Sequence, residues 1–135
     1  MSPKVSFKPY ARTTPNWLGS RITDPKVVIP GGILLDATAF PLVNNKPFAE
    51  GGTLVGRTLA QRDAGTGYSP ADPATDEQFA LLLHDVDLTE EDVAAGIQPN
   101  AGNVIYENLL PGWATLTTAA KAKVRSLYHC LFAHA

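Results

Sequence analysis

Gly102-Asn103-Val104-Ile105-Tyr106-Glu107-Asn108-Leu109-Leu110-Pro111 is the stretch on which the reading of this chain turns. It gives a turn, a short β-branched strand, and a Leu-Leu run halted by Pro111-Gly112, since Pro and Gly punctuate regular structure. Good helix formers follow. Thr117 or Thr118 can cap a helix near 117–129, through Ala119-Ala120-Lys121-Ala122-Lys123. Ala120, Val124, Leu127, Tyr128 and Leu131 fall on one face of it at helical spacing, with Lys121, Lys123 and Arg125 elsewhere.

Upstream, the apolar pattern is that of short strands. Phe79-Ala80-Leu81-Leu82-Leu83 is the most continuous apolar run and predicts a buried strand. Gly51-Gly52 opens an extended piece through Thr53-Leu54-Val55-Gly56-Arg57-Thr58-Leu59. Lys26–Ile29 and Ile33–Asp36 read as two strands around Pro30-Gly31-Gly32, and Phe40–Val43 as another before the turn Asn44-Asn45-Lys46. Asp63–Gly67 reads as a turn and Ser69–Glu77, with Pro70 and Pro73, as a loop. Thr89-Glu90-Glu91-Asp92 resembles a capping box, predicting one helical turn stopped by Gly96. Gly96 and Pro99 leave any strand before Gly102 short or broken.

With 135 residues this is one domain, large enough to fold without metal or disulfides. Gly and Pro number 11 each, a balance that favours strands, turns and ordered loops over a helical bundle. The predicted class is mainly β with a small α component (α+β): an extended N-terminal arm at 1–16, then a compact β-barrel-like domain at 17–135. The lone Cys130 cannot form an intrachain disulfide. No apolar signal region follows Met1, and no run is long enough to span a bilayer. The expectation is a protein made in the cytosol with no membrane partner. Charge is segregated. Residues 1–62 carry +5, 63–120 carry −10 with no Lys or Arg, and 121–135 carry +3. Such a distribution can polarise a surface or make subunits complementary head to tail.

The arm, Ser2-Pro3-Lys4-Val5-Ser6-Phe7-Lys8-Pro9-Tyr10, alternates apolar and polar residues as a strand does, without a local partner strand. Such a segment can add to another protein's sheet edge, with Val5, Phe7 and Tyr10 as anchors. Lys4, Lys8 and Arg12 with Tyr10 and Trp17 are too sparse to specify nucleic acid.

Catalytic and metal chemistry find little footing. Asp85-Val86-Asp87-Leu88-Thr89 imitates the start of a calcium loop. Glu90 stands where that loop needs Gly, and Gly96 where it needs a bidentate Glu. His84 beside Asp85 would point to the opposite strand face, which disfavours a general-base pair. His129 and His134 are five apart and lack the i, i+4 register of a zinc helix. Asp63-Ala64-Gly65 has Ala where an aspartic protease has a hydroxyl, and a turn explains it. No catalytic residue, cofactor or metal is expected.

The chain resembles the lambda-type head decoration (capsid cement) proteins of tailed phages over roughly residues 40–128. Gly52-Thr53-Leu54-Val55-Gly56 matches a strand entered from a glycine turn, and 72–83 a polar loop followed by an apolar strand. The most specific part is Gly102 with Tyr106-Glu107-Asn108-Leu109-Leu110, followed by the Ala/Lys helix. The resemblance implies a homotrimer at the three-fold and quasi-three-fold points of an icosahedral head, bound to the major capsid protein and stabilising the expanded shell against DNA pressure. It also implies an arm that is flexible when free and pairs with capsid strands when bound. Residues 17–39 depart from the pattern as a hairpin-like insertion. The competing expectations are a small β-barrel tail or neck adaptor, and a hydrolase or ligand-binding domain built on His84 and the acidic segment.

Overall fold

The structure, a computed structural model, describes residues 15–19, 28–29, 31–89, 92–99, 103–128 and 130–135. It is mainly β with two helices, the α+β class the composition predicts. The strands in chain order are β1 (Ile33–Leu34), β2 (Leu42–Val43), β3 (Lys46–Ala49), β4 (Leu54–Arg57), β5 (Ser69–Pro70), β6 (Gln78–Leu82), β7 (Val86–Asp87), β8 (Val93–Ala94), β9 (Gly96–Ile97), β10 (Val104–Tyr106) and β11 (Leu131–Ala133). The helices are α1 (Leu59–Asp63) and α2 (Thr118–Leu127).

The central sheet is antiparallel, in the order β5-β4-β6-β9. Its middle strand β6 is the apolar run that the sequence marks as buried. Its side chains alternate, as strand geometry requires. Ala80 and Leu82 enter one core cluster with Val55, Phe40 and Tyr68. Leu81 enters a second with Trp17, Leu18, Ile97, Ile105, Leu110, Trp113 and Val124. One strand is therefore the shared wall of two cores.

A three-stranded sheet, β2-β3-β7, lies beside it. Its β2–β3 hairpin turns at Asn44 and Asn45, with φ of 53° and 63°. Two consecutive left-handed residues make the tight hairpin loop whose twist suits a right-twisted ribbon, and Asn tolerates that region better than most residues.

β10 is flanked on both sides. Leu18 bridges Ile105 antiparallel, the Tyr106 amide donates to the Trp17 carbonyl at 2.7 Å, and the Gly19 amide donates to Val104 O at 2.7 Å. On its other side β10 pairs with β11 in parallel. The crossover between these parallel strands carries α2, which Thr117 caps by accepting from the Ala120 amide at 3.1 Å.

Several local expectations are corrected. The extended piece from Gly52 ends at Arg57; Leu59 begins α1, where Thr58 and Gln61 form a capping box. Ser69–Pro70, assigned to a loop, pairs with β4 as an edge strand, a position proline tolerates. Gly96 does not stop a helix: it lies in β9 opposite Leu82. Lys26, Val27 and Pro30 lie outside the described residues, and the described flanks of Gly31-Gly32 find partners elsewhere. Val28 bridges Ile97 and Ile33 faces Ala94, so both lie against 94–97. Finally, Leu131 leaves the helical face for β11, because α2 ends at Leu127 and Tyr128 is already extended.

Candidate functional site

The residues that carry the sequence motif are built into the junction of β10, α2 and the second core. Tyr106 ends β10, half-buried, with its ring packed on Gly19. The chain then winds into a 3-10 turn, Glu107–Leu109, closed by the Leu110 amide donating to Glu107 O at 3.2 Å. Glu107 is 4% exposed and is one of three buried polar residues among those described. A buried carboxylate is costly unless paired and hydrogen-bonded. Here Arg125 of α2 supplies a fork, Nη2 to Oε2 at 2.6 Å and Nε to Oε1 at 3.2 Å. That hydrogen bond raises the Arg125 guanidinium above its ordinary range, with the Glu107 charge adding to it. The guanidinium also lies 5.4 Å from the centre of the Trp113 ring, in cation–π range. Trp113 in turn stacks on Phe132 of β11 at 6.1 Å. Asn108 accepts from the Ala135 amide at 2.8 Å. Leu110 is buried in the second core, while Leu109 points outward, 36% exposed. Every polar side chain of Tyr106–Leu110 except the Tyr106 hydroxyl is thus spent on holding the C-terminal elements together.

The other motif glycines admit close neighbours. Gly52 has φ of +89°, and a Cβ there would lie 2.7 Å from Trp17 Nε1 and 3.0 Å from Pro111. Only glycine gives the indole room while turning the chain. Gly56 faces Asp76, whose carboxylate would stand 2.7 Å from an added Cβ. Asp76 accepts from the Asp72 amide at 2.8 Å and so closes the loop before β6. Val5, Phe7, Tyr10 and Gly102 lie outside the described residues.

Around Gly52 opens an apolar cleft of about 380 Å³. Val43 and Phe48 of the hairpin, Leu54 and buried Leu81 of the central sheet, and Trp113, Leu116 and Phe132 of the C-terminal part line it. Among the described residues its charged lining group is Glu50. Leu42 and Val43, 66% and 49% exposed, stand on the hairpin that forms its rim. Sequence reasoning did not find this cleft, nor the pairing of Glu107 with Arg125. A lone acid inside an apolar motif was the available signal for a basic partner.

The rejected chemical sites have structural jobs. Asp85 Oδ1 accepts from the Gly51 amide at 2.7 Å and fixes the entry to β4. His84 makes no hydrogen bond among the described residues. Asp87 accepts from the Thr89 hydroxyl at 2.7 Å and its amide at 3.0 Å, and these two bonds, the hydroxyl's first, hold its carboxyl below the usual range. Burial pushes the Cys130 thiol up to about 11. It also raises the Tyr128 phenol above its ordinary value. Trp17 is 2% exposed, which removes it from any stacking surface. No three His, Cys, Asp or Glu side chains converge as a metal site among the described residues, and no helix among them is long and apolar enough to cross a membrane.

No protein-family model matches the chain, and neither a curated protein nor a solved structure matches it.

Proposed function

We propose that this chain is a structural virion protein of the head-decoration kind. In this reading it binds the outer surface of an icosahedral phage head through the major capsid protein, as a homotrimer at three-fold and quasi-three-fold positions, and reinforces the expanded shell. It catalyses nothing and takes no cofactor. The sequence resemblance centred on Tyr106-Glu107-Asn108-Leu109-Leu110 suggests the reading. The structural observation that carries it is the strap at Trp17–Leu18, both buried and hydrogen-bonded onto β10. This strap tethers residues 1–14, with Val5, Phe7 and Tyr10, to the folded domain at a fixed point. A tethered strand-like arm needs no chemistry to work as a clasp. Ordering it costs about 1–2 kcal/mol per residue in backbone entropy, which strand hydrogen bonds and apolar anchors must outweigh. A trimer attaching at three equivalent points gains further through avidity.

Co-sedimentation with expanded heads of the parent phage tests this, comparing the full chain with one lacking residues 1–14. The cut must precede Pro15, whose carbonyl accepts from the Leu18 amide within the strap. Saturable binding lost on truncation is the expected outcome. Equal binding by both chains would transfer attachment to the domain, and binding by neither would remove the decoration role.

A further inference from the structure

We draw no further inference here: the strongest candidate, the apolar cleft around Gly52 lined by the β2–β3 hairpin, the central sheet and the C-terminal elements, is an unpartnered apolar surface, and nothing among the described residues shows what covers it.

Discussion

Tyr128 marks the end of α2 and is 6% exposed, yet among the described residues its hydroxyl meets no hydrogen-bond partner. An unsatisfied buried hydroxyl costs about 1–3 kcal/mol. Tyr128→Phe should therefore leave stability unchanged or raise it by about 1 kcal/mol, read as the midpoint of urea unfolding. A fall of the same size would show that the hydroxyl is bonded in solution. The same burial governs the response to alkali. Cys130 has its proton held to about 11, against an ordinary 9.0, and Tyr128 is shifted in the same direction. The folded state keeps these protons while the unfolded chain loses them. Stability is then whole below about pH 9 and declines as pH rises toward 11. Unfolding midpoints across that window should fall, and Cys130→Ala should flatten the first part of the fall. At this scale the sequence was partly legible. Cys130 beside Leu131 and Phe132 reads as a buried thiol, and the structure half-buries it against the second core. That Arg125 would neutralise Glu107 does not follow from spacing, because the two meet only after the chain has crossed from β10 to α2.

Elements were legible where their determinants are local. β6 announces itself through the apolar run Phe79–Leu83, of which it holds four residues, and α2 through its alanines and the Thr117 cap. α1 was missed because Leu59 continues the alternation of β4, and a five-residue helix offers one capping box as its whole signal. β11 was missed because Leu131 keeps helical register with Val124 and Leu127, while its strand partner lies 27 residues earlier. The β2–β3 hairpin, in contrast, is set by two residues. Asn45 has φ of 63°, a conformation costing most L-residues about 1–2 kcal/mol. Asn45→Val should lower stability by about that amount, whereas Asn45→Gly should be neutral or mildly stabilising, since Asn-Gly is the favoured pair for such loops. Thermal unfolding of the two variants side by side checks the contrast, and equal losses would show that the turn conformation is not what holds the hairpin.

Across the whole molecule the decisive feature is that β6 belongs to both cores. Leu82 faces the first cluster, yet both tryptophans lie in the second. Leu82→Ala removes a fully buried side chain and should cost about 2–5 kcal/mol. If the shared strand couples the clusters, tryptophan fluorescence and far-ultraviolet dichroism will shift together to lower denaturant. A tryptophan transition left in place would reveal two independent units. Neither the clusters nor the cleft between sheet and C-terminal elements could be read from the sequence, because each is assembled by pairings between distant segments such as Leu18 with Ile105 and Leu82 with Gly96. The chain's only sulfhydryl has a practical side as well. A thiol that holds its proton until about pH 11 is a poor nucleophile under mild conditions. A cysteine introduced on the surface will out-compete it for maleimide dyes near neutral pH, so fluorophores or gold clusters can be placed at chosen positions without first editing out the native sulfur.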